Sequence, residues 1–254
     1  MVKEDEPIEL VTHLEELRAR IIRSLIYVVA GVAAGWVLYP GIYAVLMAPL
    51  ADPIRAAGGR LRIGMLTEGF MLRFQISAIA GVVIALPGIL FELWGFVAPG
   101  MTRDERRAAA PLLPAASALF AVGVALGYVI IPRFVSFMLS SAFVPAGVEK
   151  FFDLQRQVGF LAKLLFAFGL CFQLPIVLIF LIKAGIVSPE FLAARRREAV
   201  IAILIIAAVV TPTFDVLTLA ILAVPMLVLY EGTIWYARIT DRRARASSGP
   251  TTDR

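Results

Sequence analysis

Long apolar runs separated by short polar segments dominate the pattern of this chain. The apolar runs cover residues 21–43, 74–97, 108–131, 158–182, 199–213 and 216–236. None of them alternates between apolar and polar positions with a period of two, which is the pattern of a half-buried strand. Because a helix of about 20 apolar residues spans the hydrocarbon core of a bilayer, the pattern predicts an all-α integral membrane protein with six transmembrane helices.

The last two runs are predicted to be short helices. Residues 199–213 would extend about 22 Å at a rise of about 1.5 Å per residue, which is less than a hydrocarbon core of about 30 Å. Residues 213–215 alone join the two runs. The runs therefore form either a re-entrant hairpin or two helices that cross a locally thinned bilayer, and both arrangements leave the C-terminus on the same side.

Proline residues recur within or at the ends of the runs, at positions 87, 111, 114, 132, 175, 212 and 225. An interior proline frees a carbonyl group and bends its helix, which membrane proteins tolerate where neighbouring helices or water satisfy that carbonyl. Several bent helices predict a curved, concave wall rather than a straight bundle. We expect residues 1–246 to form a single domain and residues 247–254 to be a disordered cytoplasmic tail.

The composition supports a membrane location and argues against disulfide, metal and catalytic sites. Of the 254 residues, 60% are hydrophobic and only 17% are charged, and the mean hydropathy is +0.88, which excludes an ordinary water-soluble fold. A single cysteine and a single histidine exclude a disulfide framework and a structural zinc site. Since the sequence shows no nucleophile with a partnering base and acid, we expect no enzyme activity, no cofactor and no metal.

Lysine and arginine residues collect on one side of the predicted spans. The N-terminal segment, the loops after spans two and four, and the C-terminal segment carry more than twice as many of them as the remaining loops. By the positive-inside rule, this distribution predicts a multi-pass plasma-membrane protein with both termini in the cytoplasm. The net charge of +5 is explained by basic segments that lie against an anionic leaflet, and it requires no nucleic acid.

Two polar segments flank the first two spans. Residues 12–20 read THLEELRAR, and residues 91–107 read FELWGFVAPGMTRDERR. Judged by spacing alone, the first is also explained by a surface ion pair between Glu16 and Arg20 at positions i and i+4. The second is also explained by a solvated loop. The residues alone therefore do not decide between a binding site and these two structural roles.

Two further polar positions lie deeper in the chain. Gln173 is inside the fourth run, where its amide requires a hydrogen-bond partner. That partner is either the carbonyl freed by Pro175 or a group on another helix. Residues 211–215, with the sequence TPTFD, lie at the tip where the last two runs meet, and Asp215 also fits the N-cap of the last helix.

Taken together, these segments resemble the TatC family. The resemblance is carried by HLEELRAR before the first span, FELWGFVAPGM and DERR after the second, FGLCFQLP in the fourth and TPTFDVLTLAILAVPMLVLYE at the last two. These motifs occur in the family's order, and the resemblance covers residues 8–238. TatC is the largest integral subunit of the twin-arginine protein translocase and the receptor for its signal peptides. The resemblance also implies six spans, with both termini in the cytoplasm.

The resemblance implies a docking site for the twin-arginine signal peptide on the N-terminal segment and the first cytoplasmic loop. The residues carried over by motif are Glu16, Arg18, Arg20, Phe96, Pro99, Glu105 and Arg106. Carboxylates accept the rigid fork of a guanidinium bidentately, so Glu16 and Glu105 are expected to take one signal arginine each or to share the pair. A lysine pair keeps the charge but loses the fork, which suits a receptor that rejects ordinary export signals.

The resemblance also implies partner subunits with a single transmembrane helix, TatA and TatB. They assemble with TatC in a multimeric complex that exports folded proteins with the proton-motive force. The residues expected to contact such a helix are Gln173, Thr211, Asp215 and Pro225. The family often carries a glutamate at the position of Gln173; a glutamine forms hydrogen bonds but cannot ionise, so we expect a polar contact and no charge-based role there.

A small-solute or ion carrier is the alternative function, suggested by the polytopic architecture and by Gln173 at mid-depth. A carrier places several polar groups around the membrane midplane, whereas the acids of this chain lie mostly at the predicted cytoplasmic rim. An intramembrane enzyme would require an acid pair or a nucleophile with its base at depth, and the sequence offers neither. The distribution of acids therefore favours a docking receptor.

Overall fold

The computed structural model describes residues 6–98, 102–103, 106–107, 110–140, 142–145, 147–210 and 216–247, with side chains described except at residues 6–12, 210 and 241–247. Its helices are α1 (Glu6–Ala56), α2 (Glu68–Val97), α3 (Leu112–Met138), α4 (Leu154–Cys171), α5 (Leu174–Lys183), α6 (Pro189–Ala194), α7 (Arg196–Val210) and α8 (Val216–Ser247). Two short strands, β1 (Arg60–Arg62) and β2 (Phe151–Asp153), pair in parallel, with Arg60 opposite Phe151.

Within these described ranges, five helical stretches are long and apolar enough to cross a membrane. They are His13–Ala56, Glu68–Val97, Leu112–Met138, Leu154–Lys183 and Val216–Thr240. Helix α7 has 15 residues, in agreement with the short fifth run. The prediction of an all-helical membrane protein is confirmed. The small parallel sheet has three residues in each strand, which is too few to produce a recognisable alternation in the sequence.

The helices extend beyond the predicted spans at several ends. Helix α1 has 51 residues and continues through Pro40, Pro49 and Pro53. It ends at Ala56, and Gly58, two residues later, has a φ of 72°, the left-handed conformation common just after a helix. Helix α8 reaches Ser247, the first residue of the predicted disordered tail, and the rest of that tail lies outside the described residues.

The fourth apolar run is interrupted near its proline, where the sequence predicted only a bend. Helix α4 ends at Cys171, and α5 begins at Leu174 with Pro175 in its first turn. Proline fits a first turn because the N–H that it lacks has no helical partner there. The chain therefore begins a new helix at Pro175.

The chain divides into two compact units. Residues 1–102 and 124–166 form the first unit, and residues 103–123 and 167–254 form the second. In the first unit, α1 packs against α2. The single domain predicted for residues 1–246 stays a prediction.

The seam between α1 and α2 is antiparallel and very close. A Cβ at Gly31 would overlap the backbone of Gly81. A Cβ at Gly35 would lie only 2.7 Å from the carbonyl oxygen of Ser77. Small residues let two backbones approach in this way, which favours helix pairing where water supplies no hydrophobic driving force. The seam fixes the register of α1 against α2.

The second unit has its own close contacts. A Cβ at Gly123 would lie 2.7 Å from the carbonyl oxygen of Phe168, so α3 at Gly123 lies directly against α4 near its C-terminal end. Helix α8 packs against α5, α6 and α7. The hydroxyl of Tyr230 on α8 donates a hydrogen bond of 2.8 Å to the carbonyl of Leu192 on α6.

Candidate functional site

The N-terminal part of α1 and the C-terminal end of α2 meet because the two helices are antiparallel. The segment 12–20 therefore lies beside the segment 91–97. Adjacent segments are what a docking site built from both of them requires. The ring of His13 stacks on the ring of Phe96, with 4.4 Å between centroids and 19° between planes. This contact brings the predicted docking residue Phe96 onto the same face of α1 as Glu16 and Arg20.

Arg20 lies between two carboxylates at this site. Its Nε and Nη2 donate to Oε1 of Glu16 at 3.1 and 2.6 Å. Its Nη1 donates to Oε2 of Glu92 at 3.3 Å. The ion pair predicted from the i, i+4 spacing is therefore present, but it is one half of a larger cluster that reaches across to α2.

Glu92 is the functional candidate that sequence reasoning missed. Its side chain is only 3% exposed, and its second oxygen lies 3.7 Å from Nη1 of Arg23. The neighbouring Gly95 leaves the room that Arg20 occupies, since a Cβ there would overlap the guanidinium. The signal was available: a carboxylate inside the apolar run 74–97 requires a charged partner, and Arg20 and Arg23 were the cations at the facing end of α1.

Four predicted docking residues remain: Arg18, Pro99, Glu105 and Arg106. Arg18 is exposed on α1, and Arg106 is exposed in the second unit. Pro99 and Glu105 lie outside the described residues. The cooperation of Glu16 with Glu105 therefore stays a prediction.

Of the four predicted partner-facing residues, the structure describes Gln173 and Pro225, and both belong to the second unit. The side-chain amide of Gln173 donates a hydrogen bond of 3.0 Å to the carbonyl of Ala116 on α3, so the interhelical bond expected for it is made within the chain. Pro225 is half-buried inside α8. Thr211 and Asp215 lie outside the described residues.

A second arginine–glutamate pair joins α7 to α8. Nε and Nη2 of Arg196 donate to the two oxygens of Glu231 at 2.6 and 3.0 Å. The hydrogen bond to Glu231 raises the pKa of Arg196 above its ordinary value. In the part of the chain that the structure describes, no three His, Cys, Asp or Glu side chains are grouped to hold a metal ion.

Known proteins match this chain along most of its length. The family model of the Sec-independent protein translocase protein TatC matches residues 12–225. A TatC protein of Desulforapulum autotrophicum is 33% identical over 96% of this chain and 89% of its own length. A TatC protein of Xylanimonas cellulosilytica is 36% identical over 94% of this chain and 86% of its own length.

The fold agrees with these sequence matches. A crystal structure of the twin-arginine translocase receptor TatC in DDM superposes with a TM-score of 0.80 at 33% identity, covering 89% of this chain and 99% of that chain. The resemblance seen in the four sequence motifs is confirmed by an independent comparison of structures. The chain therefore belongs to the TatC family of Sec-independent protein translocase proteins.

Proposed function

We propose that the cluster formed by Glu16, Arg20 and Glu92, called the Glu16 cluster, binds the twin-arginine signal peptide of folded precursor proteins. As a TatC protein, the chain is the receptor subunit of the twin-arginine translocase and a component of a transporter, not an enzyme. In our proposal the ends of α1 and α2 that carry the cluster face the cytoplasm, with both chain termini on that side. The uneven distribution of lysine and arginine residues supports this orientation.

The observation that carries the proposal is the way Glu16 holds Arg20. One carboxylate oxygen accepts two N–H groups of a guanidinium, at 3.1 and 2.6 Å. The side chain of Glu16 is 34% exposed, so water and a peptide can reach it. A signal arginine offers the same planar fork as Arg20, so in our proposal it replaces Arg20 on this carboxylate.

The rest of the docking surface follows from the motif. Phe96 supplies an apolar wall beside Glu16, with its ring fixed against His13. Pro99, Glu105 and Arg106 would complete the surface from the loop that follows α2. Two carboxylates from separate segments, Glu16 and Glu105, would then hold the two guanidinium groups of the signal.

We further propose that the second unit recruits the single-span partners, TatA and TatB, in a multimeric complex driven by the proton-motive force. Gln173, Thr211, Asp215 and Pro225 would contact a partner helix. The amide of Gln173 has one bond to Ala116, and an amide has further hydrogen-bonding positions for a second partner. A carrier function gains no support from Gln173, because its polarity already stabilises a contact within the chain.

The test is capture of a signal peptide by the full-length chain in lipid nanodiscs. A photo-reactive twin-arginine peptide should crosslink near residues 12–20 and 96–107, and a twin-lysine peptide should not. Glu16→Gln should weaken capture about tenfold to a hundredfold, the loss expected when a charge-assisted hydrogen bond is removed. Glu15→Gln is the matched control, because Glu15 is exposed on the adjacent position of α1 and has the same charge.

Capture should be unchanged in the Glu15→Gln protein. If Glu16→Gln captured the twin-arginine peptide as well as the unaltered chain, docking at Glu16 would be refuted. Equal capture of the twin-lysine peptide would refute the role of the guanidinium fork.

A further inference from the structure

Glu92 is a buried carboxylate that contacts two arginines of α1. Its exposure is 3%, and its oxygens lie 3.3 Å from Nη1 of Arg20 and 3.7 Å from Nη1 of Arg23. No motif role accounts for it. With Glu16, the cluster holds two carboxylates and two guanidinium groups, so its net charge is zero.

The two carboxylates hold different edges of the same guanidinium. Glu16 accepts from Nε and Nη2 of Arg20, and Glu92 accepts from Nη1. The side chain of Arg20 is only 17% exposed. An arginine in this position cannot lose its counter-ion cheaply, because a partly buried charge without a partner is strongly destabilising.

This geometry sets a condition on docking at Glu16. A signal arginine that binds Glu16 takes the place of Nε and Nη2 of Arg20, which must then find another carboxylate. Glu92 already contacts Arg20 and lies on the opposite side of it from Glu16. Arg23 is 50% exposed. Its guanidinium can therefore leave Glu92 and turn to water at little cost.

We propose that Glu92 is a positioning residue that receives Arg20 when a signal arginine occupies Glu16. The exchange keeps every buried charge paired: the signal arginine pairs with Glu16, Arg20 pairs with Glu92, and Arg23 turns to water. The neutral resting cluster is then restored with the ligand in place. This inference rests on the proposed docking at Glu16 and adds the residue that makes the exchange possible.

The test measures binding of a fluorescent twin-arginine signal peptide to the full-length chain in nanodiscs of phosphatidylethanolamine and phosphatidylglycerol. Glu92→Gln should bind about tenfold more weakly, since a neutral amide holds Arg20 less well and leaves it on Glu16. Glu92→Asp keeps the charge and should stay within about threefold of the unaltered chain. If Glu92→Gln binds normally, the proposal is wrong.

A double variant separates exchange from a purely structural role. In Glu92→Gln with Arg20→Gln, Glu16 has no internal guanidinium to release, so binding should be several-fold stronger than in Glu92→Gln alone. If Glu92 only fastened α1 to α2, the second substitution would remove a further helix contact and binding would not recover. A double variant as weak as Glu92→Gln would overturn the proposal.

A third variant covers the case in which Glu92→Gln fails to fold, as judged by size exclusion and thermal unfolding. Arg23→Gln alters a half-exposed side chain and frees the second oxygen of Glu92 for Arg20. Binding should become a few-fold tighter, and unchanged or weaker binding would contradict the exchange. If Glu16→Gln itself binds normally, the proposed docking fails; if only the Glu92 variants do, this inference alone fails.

Discussion

Two regions of this chain join a pair of helices through an arginine and a glutamate, and they differ in burial more than in bond length. In the first unit Arg20 contacts Glu92 at 3.3 Å, with side chains that are 17% and 3% exposed. In the second unit Arg196 and Glu231 form a bidentate pair whose shorter contact is 2.6 Å, with side chains that are 48% and 52% exposed. The pair with the better geometry is the one that water screens.

The comparison shows that distance alone does not rank ion pairs. An exposed pair contributes about 0–1 kcal/mol, because water replaces either partner when the other is removed. A buried pair is different, since removal of one partner leaves a charge without water or counter-ion. The Arg20–Glu92 contact therefore holds the docking region in one arrangement, whereas the Arg196–Glu231 contact tolerates change.

Glycine residues in the two regions also differ in how closely they are packed. Gly31 on α1 faces the backbone of Gly81, where any Cβ would overlap it, while Gly232 on α8 has no neighbouring atom within 4 Å of its Cβ position. The α1–α2 region depends on close backbone contact. The outer side of α8 at Gly232 does not.

The largest effect is expected for Glu92→Ala. It leaves Arg20 and Arg23 without their shared carboxylate and should lower the free energy of unfolding by about 3 kcal/mol or more. Glu231→Ala, the matched change in the exposed pair, should cost less than about 1 kcal/mol. Reversible denaturation in mixed micelles measures both, and equal losses would refute the ranking by burial.

A smaller effect is expected for Gly31→Ala. The added methyl group would force the backbones of α1 and α2 apart at Gly81, at a cost of about 1–3 kcal/mol. Gly232→Ala meets open space and removes backbone freedom from the unfolded chain, so it should stabilise the protein by up to about 1 kcal/mol. The same denaturation measurement applies, and a neutral effect of Gly31→Ala would refute the close approach of the two backbones.

The sequence predicted the membrane class, the order of the long helices and the family, because apolar runs and four ordered motifs carry those features directly. It also predicted the Glu16–Arg20 pair, since both residues lie on one helix and their spacing determines the contact. Periodicity within one segment was sufficient for each of these. The bend predicted at Pro175 was equally local, although the structure has a break between two helices there.

The sequence did not predict the role of Glu92 or the register of the α1–α2 seam. Both depend on which residue of α2 faces which residue of α1, and this register is set by the close approach of Gly31 to Gly81. A single sequence shows the glycine but not the residue that it faces. The partner of Gln173 was open for the same reason: only the packed structure places Ala116 beside it.

An intermediate effect is expected for Gln173→Leu in the second unit. It removes the bond to the carbonyl of Ala116, and membrane-buried hydrogen bonds of this kind are worth about 0.6 kcal/mol on average. Peptide capture at Glu16 should be intact, and copurification of a single-span partner should fall. Gln173→Asn, which keeps an amide, serves as the control, and unchanged copurification of the partner with Gln173→Leu would reject the proposed contact.

The smallest effect is expected for Arg196→Lys. A lysine keeps the charge but cannot contact both oxygens of Glu231, so the loss should stay below about 0.5 kcal/mol at low salt. It should vanish near 1 M salt, where the screening length is about 3 Å. Arg197→Lys is the matched control, because its side chain is exposed on the next position of α7. Arg20→Lys should instead keep its stability loss at every salt concentration, because its carboxylate partner Glu92 is shielded from the ions. If salt removed both losses equally, burial would not be what separates the two regions.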